Sequence, residues 1–161
     1  MNKIVQKNDK VLRQVAKEIP FEEIGNTKIK NIIKNMREAL FASENGVALA
    51  APQIGESIRL FIVSIPKINK DGKKTRQDPP LVFINPKIKK ISKKKSILEE
   101  GCLSIERTFG KTKRAEKLTI EALDENGKKF IRGASGLLAQ IIQHEMDHLN
   151  GVLFMDHAIS I

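Results

Sequence analysis

The sequence predicts an α+β fold, and three observations carry that prediction. Ile29, Ile32, Ile33, Met36 and Leu40 recur with the period of one helical face. A second helical stripe, Leu137, Leu138, Ile141, Ile142 and Met146, stands near the end of the chain. Between the two lie short β-branched and apolar runs bounded by turn signals.

Each element has a local reason. Asn26 or Thr27 can cap the first helix, and Asn45-Gly46 stops it. The segment from Val47 to Gly55 is small and apolar and is closed by Pro52 and Gly55. It is expected to run as irregular backbone close to another group. Arg59 to Ile65 and Leu81 to Ile88 read as strands flanking a polar loop marked by Asp71-Gly72 and Pro79-Pro80. Lys117 to Leu123 and Lys128 to Arg132, joined by Asp124-Glu125-Asn126-Gly127, read as a hairpin. Ser135 is placed to cap the last helix, and Asn150-Gly151 ends it. No repeat or linker interrupts the chain. Its 161 residues, 40% of them hydrophobic, suffice for one sizeable core, so residues 1–161 are expected to form a single domain.

Composition removes several function classes. Lys and Arg outnumber Asp and Glu by 29 to 19, a net charge of +10, which suggests a polyanionic partner. Against this, the chain has no Trp or Tyr, and most of its seven Phe sit in apolar runs such as Leu60-Phe61-Ile62 and Val82-Phe83-Ile84, where burial accounts for them. The densest basic stretches, Lys67 to Arg76 and Lys87 to Lys95, read as solvated turns. No DNA partner is expected. One Cys excludes an intramolecular disulfide, and the opening Met1-Asn2-Lys3-Ile4-Val5-Gln6-Lys7 lacks the pattern of a secretory leader. The longest apolar stretches fall far short of the roughly 20 residues of a membrane helix. A cytoplasmic, membrane-free protein is the expectation.

The chemistry is concentrated in His144-Glu145-Met146-Asp147-His148. Two His four residues apart lie one turn apart on a helix and can converge on one metal, with Glu145 beside them as a base for water. Such a site needs a third protein ligand and an open position. Downstream candidates are poor: position 154 is Phe, no Glu follows Glu145, and Asp156 and His157 lie beyond the helix stop. Upstream stands Cys102, the only thiol, next to Gly101. A lone Cys is commonly a small buried hydrophobe, but beside a His pair lacking a partner it completes a tripod suited to Fe(II) or Zn(II).

These residues resemble the peptide deformylase family. Gly46-Val47-Ala48-Leu49-Ala50-Ala51-Pro52-Gln53, Glu100-Gly101-Cys102-Leu103-Ser104 and Gln143-His144-Glu145-Met146-Asp147-His148 are similar to its three motifs, in order. The resemblance runs from about Asp9 to the end. Three positions depart from the family pattern: Ala48, usually Gly; Phe109, where some members carry a substrate-contacting Arg; and Gln140, where apolar residues are common.

The resemblance implies small antiparallel sheets around a central C-terminal helix bearing the His pair. It also implies removal of the N-formyl group from the formyl-methionine of newly made proteins. Cys102, His144 and His148 would hold Fe(II), for which Zn(II), Ni(II) or Co(II) can substitute. The metal would make hydroxide available near neutral pH, and Glu145 would take its proton and pass it to the leaving amine. Gln53 and the Leu103 N–H would stabilise the oxyanion, and Glu100 would hold a ligating imidazole. Gly46, Val47, Ala48, Leu98, Glu100, Leu137, Gln140 and Ile141 would contact the substrate. With ten residues after Gly151, no long ribosome-docking helix is expected, so a ribosome contact would use the basic surface. Two other classes stay open on the residues alone: a general metallopeptidase, and a basic RNA- or ribosome-binding module.

Overall fold

The computed structural model describes residues 3–160; Met1, Asn2 and Ile161 lie outside them, so the first two residues of the opening segment do too. Among the described residues two α-helices, α1 (Thr27–Phe41) and α2 (Gly136–Leu149), are set among nine strands. β1 (Ala48–Ala50), β2 (Leu60–Val63), β5 (Leu81–Ile91), β8 (Lys117–Leu123) and β9 (Lys129–Ser135) form one antiparallel sheet in the order β1-β2-β5-β8-β9. Two antiparallel ribbons complete it: β3 (Pro66–Ile68) with β4 (Lys74–Arg76), and β6 (Lys95–Cys102) with β7 (Ile105–Ala115).

At β1, β2 and the start of β5 the five-stranded sheet is buried on both faces, which is why β2 reads as an unbroken apolar run. Alternation along the strand sorts its side chains. Leu60 and Ile62 join Ile29, Ile32, Met36 and Leu40 of α1 in one cluster. Phe61 and Val63 join Phe83, Ile120, Ile141 and Ile142 in another, beneath α2. Phe61 and Phe83 stack with centroids 4.6 Å apart. α2 is thereby fixed against the sheet, and the ribbon β6–β7 runs along its other side. There Gln143 locks the two together, its Oε1 accepting from the Ala115 N–H at 2.9 Å and its Nε2 donating to the Ala115 carbonyl at 2.9 Å.

Several local expectations are met and several corrected. Asn26 caps α1, its Oδ1 accepting from the Ile29 N–H at 2.9 Å. The helix ends at Phe41, a turn before Asn45-Gly46. Val47 to Gly55 is not irregular: β1 pairs with β2, then a 3₁₀ turn spans Ala51–Ile54, and Gly55 closes it at φ 89°. Ser135 occupies the N-cap position of α2 without making a side-chain cap bond. Lys87 to Lys95 is corrected too, since it continues β5 to Ile91 and starts β6 at Lys95.

Candidate metal centre and active site

α2 presents His144 and His148 from one face, their ring centroids 4.9 Å apart. Cys102, the last residue of β6, faces them across the cleft. The Cys102 Sγ and one ring nitrogen from each His lie within 4.8 Å of one another, and Sγ is 3.3 Å from His148 Nε2. Metal–sulfur and metal–nitrogen bonds of about 2.3 and 2.0 Å in tetrahedral geometry separate such donors by about 3.5 Å. The donor set fits a divalent ion of that size. Asp156 and His157, the downstream alternatives, are engaged elsewhere: Asp156 with Arg13 at 2.6 Å, and His157 with Asp147 at 3.1 Å.

Glu100 fixes the first imidazole. Its Oε1 lies 2.6 Å from His144 Nδ1, which leaves Nε2 for the tripod. Glu100 is in turn held by Arg114, whose Nε and Nη2 donate to its two oxygens at 2.9 and 2.7 Å, and by the Thr112 hydroxyl. Burial acts to raise the Glu100 carboxyl, but the hydrogen bonds from His144 and Arg114 outweigh it and hold the group well below the usual carboxylate range. The remaining arm of Arg114, Nη1, donates to Asp147 Oδ2 at 2.8 Å.

Glu145 stands beside the tripod, its Oε2 4.0 Å from His144 Nε2 and its Oε1 buried with no hydrogen-bond partner among the described residues. Burial pushes its carboxyl up to about 7, against an opposing pull from His144. A carboxyl poised there can both accept and return a proton near neutral pH. Burial and the neighbouring His144 drive the His148 imidazole well below its usual value, toward the neutral form that ligates metals.

Gln53 reaches the centre from the turn after β1. Its Oε1 accepts from the Ala50 N–H at 2.9 Å, so its NH₂ is aimed the other way, to Ser104 Oγ at 3.1 Å and Cys102 Sγ at 3.6 Å. Leu103 lies in the tight turn joining β6 to β7, directly after the thiol.

These groups open into a cavity of about 1160 Å³. Of the residues expected to contact substrate, Gly46, Val47, Ala48, Glu100, Leu137, Gln140 and Ile141 line it, together with Gln53, Cys102, Leu103, His144 and Glu145. Leu98 is the exception. It shares the inward side of β6 with Glu100 and Cys102 but stands four residues before the thiol, about 13 Å along an extended strand. Glu99 and Gly101 make the wall instead. Gln140, one of the three departures from the family pattern, ties α2 to β6 by donating to the Glu99 carbonyl at 3.0 Å.

The comparisons agree with this geometry. The family model described as polypeptide deformylase matches residues 1–161. The chain belongs to the peptide deformylase family. A peptide deformylase of Psychrobacter cryohalolentis is 42% identical over 149 residues, covering 92% of this chain and 74% of that protein. Peptide deformylase 1 of Clostridium perfringens is 42% identical over 152 residues, 94% of each. Among solved structures, the Thermotoga maritima deformylase superposes with a TM-score of 0.84 at 32% identity, covering 98% of this chain and 97% of that one. A Synechococcus elongatus deformylase, solved with actinonin, gives 0.84 at 36%, covering 97% and 78%. The enzyme is therefore a hydrolase of N-formyl groups on nascent peptides, with a site able to hold a metal.

Sequence reasoning left the outer network without roles. Arg114 and Thr112 hold Glu100, which holds His144; Asp147 holds Arg114, and Ser104 holds Gln53. An Arg between Lys113 and Ala115 carries no mark of burial, and only the pairing of Ser96 with Arg114 across the ribbon reveals its inward side.

Proposed function

We propose that the chain is a single catalytic domain in which Cys102, His144 and His148 hold one Fe(II), replaceable by Zn(II), Ni(II) or Co(II), and Glu145 performs the proton transfers of deformylation. The convergence of three donor atoms beside the buried, partnerless Oε1 of Glu145 carries this reading. A thiolate with two imidazoles suits iron and zinc alike, and iron is chosen on the family resemblance. When bound, the ion supplies Lewis acidity toward the formyl oxygen and lowers the pKa of water toward neutrality.

The protein does the rest. Glu145 takes a proton from the attacking water and returns it to the departing nitrogen, so methionine leaves with a neutral amine and formate is released. As the formyl carbon becomes tetrahedral its oxygen gains charge. The Gln53 amide, preset by Ala50, and the Leu103 N–H donate to it. Glu100 holds His144 in the tautomer with Nε2 available. Val47, Leu137 and Ile141 receive the methionine side chain, with Gly46, Ala48 and Gln140 along the approach. We assign the enzyme to the cytoplasm and any ribosome contact to the surface carrying the +10 charge; no helix among the described residues is long and apolar enough to cross a membrane.

The test is formate release from formyl-Met-Ala-Ser by anaerobically purified protein, with metal analysis of the same sample. Deformylation with about one ion per chain is expected. Hydrolysis of unformylated peptide bonds at an equal rate would favour a general metallopeptidase, and activity surviving complete metal removal would overturn the reading.

A further inference from the structure

One edge of the cavity depends on a group outside it. Ser43-Glu44-Asn45-Gly46 leads from α1 towards β1, and Ser43, Asn45, Gly46 and Val47 line the cavity. These residue types favour turns, and glycine loses more freedom on ordering than any other residue, so such a stretch keeps one position only where outside contacts fix it. Gly46 is held closely. A Cβ there would stand 2.8 Å from Ser43 Oγ, 2.9 Å from Leu103 Cδ1 and 3.1 Å from Leu40 Cδ1, so its bare α-carbon is wedged between α1 and the residue that follows the thiol.

Arg76, on β4, ties this stretch down. Its Nη2 donates to the Gly46 carbonyl at 3.0 Å and reaches the Ser43 carbonyl at 3.5 Å. Its Cζ lies 4.9 Å from the centre of the Phe41 ring, at the last residue of α1. One guanidinium thus joins the helix end to both ends of the turn. The Val47 carbonyl accepts from the Ser64 N–H at 2.8 Å, and the Ser64 hydroxyl donates at 2.6 Å to the carbonyl of Gln77, the neighbour of Arg76. Gly46 and Val47 are therefore both referenced to the end of β4. Arg76 itself is not among the residues lining the cavity. Its Nη1 is buried with no hydrogen-bond partner among the described residues, and a buried charged donor left unmatched forfeits hydration. Local costs of this kind persist where function needs the geometry.

We propose that Arg76 is a positioning residue for deformylation, one that clamps the Gly46–Val47 peptide where this edge receives the substrate and does so without touching the substrate. The inference rests on the deformylase reading and deepens it. Without the clamp the edge is in place for only part of the time, and apparent affinity falls by that fraction. Once substrate is bound, its reacting atoms meet Cys102, His144, His148 and Glu145 unaltered, so the loss falls on KM and spares kcat.

The experiment measures kcat and KM for formyl-Met-Ala-Ser, metal content and Tm in wild type, Arg76→Met, Arg76→Lys and Arg37→Met. Met keeps an apolar stem against Phe41 and donates nothing. Arg37 is the control: its Cζ is 4.4 Å from the centre of the same ring and it pairs with Asp78, away from the Gly46 carbonyl. Arg76→Met should raise KM about 5- to 20-fold, with kcat within about twofold and metal content unchanged. Arg76→Lys keeps the charge without the planar fork and should restore part of the loss. Arg37→Met should lower Tm and keep KM within about twofold of wild type. An unchanged KM in Arg76→Met, an equal rise in Arg37→Met, or a fall in kcat together with loss of metal overturns the proposal and leaves deformylation standing. If Arg76→Met does not fold, Arg76→Lys decides: a KM raised at least about threefold with kcat kept supports the clamp, and an unchanged KM overturns it. Failure of wild type to release formate overturns the deformylase reading itself, and the proposal with it.

Discussion

Replacing Arg114 by Met tests how the metal centre is supported. Arg114 is 5% exposed and makes three charge-assisted hydrogen bonds, two to Glu100 and one to Asp147. Met fills similar length without charge, so the space remains filled while Glu100 keeps a buried charge with only His144 and Thr112 as partners. Removing one partner of a buried ion pair costs about 3–5 kcal/mol. In a domain of this size each kcal/mol lowers Tm by about 2–4 °C, so a fall of about 6–20 °C is expected. The consequence reaches the ligand. Glu100 is the group that fixes His144 Nδ1, and loosening such a support weakens metal affinity by about 10- to 100-fold. Thermal unfolding followed by circular dichroism and a competition titration with a metal chelator measure the two effects. A variant that melts within about 2 °C of wild type and retains its ion equally well would refute the argument that this network is what holds the ligand.

Three further outcomes are expected. Gln53→Leu removes a preset donor and should lower kcat about 100-fold with little change in KM. It also leaves the buried Ala50 N–H without its acceptor, at a cost of about 1–3 kcal/mol in denaturant unfolding; an unchanged kcat would mean that Gln53 only holds its turn. Hydrogen bonding from Arg13 holds the Asp156 carboxyl below its ordinary value, so the pair stabilises above the unfolded pKa of about 3.9 and loses its effect as pH falls through the lower folded value. Both side chains are more than a third exposed, so Arg13→Ala should cost under about 1 kcal/mol near pH 7 and less at acid pH in urea titrations; a cost that grows on acidification would contradict this sign. Iron-loaded enzyme should lose activity in air as the Cys102 thiol is oxidised, whereas zinc-loaded enzyme should not, and peptide mass together with activity over hours separates the two.

What the sequence revealed follows from where apolar patterning is strict. α1 and α2 show their stripes because each buries one face against the sheet, and β2 and β5 show apolar runs because both faces are covered. The ribbon β6–β7 escaped this kind of reading for a physical reason. Its inward side chains include Glu100, Thr112 and Arg114, polar groups buried in service of His144, while Lys95, Ile97 and Glu99 face outward. Alternation of apolar and polar residues therefore fails where the strand performs chemistry. β1 was hidden differently: Ala48, Leu49 and Ala50 are all buried, so no alternation marks a strand of three residues. The His pair and Glu145 were legible from helical spacing alone. Cys102 stood out as a candidate ligand only because the pair required a third donor, and the outer supports Arg114 and Asp147 depended on strand pairing that local patterns do not encode.

The central claim separates holding the metal from using it, and Cys102→Ala and Glu145→Gln divide the two. Metal per chain by elemental analysis, read beside formate release from formyl-Met-Ala-Ser, is the most direct measurement. With Cys102 as a proposed ligand and Glu145 as the proposed base, Cys102→Ala should lose both ion and activity, whereas Glu145→Gln should retain about one ion per chain and release almost no formate. A stoichiometric ion in Cys102→Ala, or wild-type turnover by Glu145→Gln, would contradict the account.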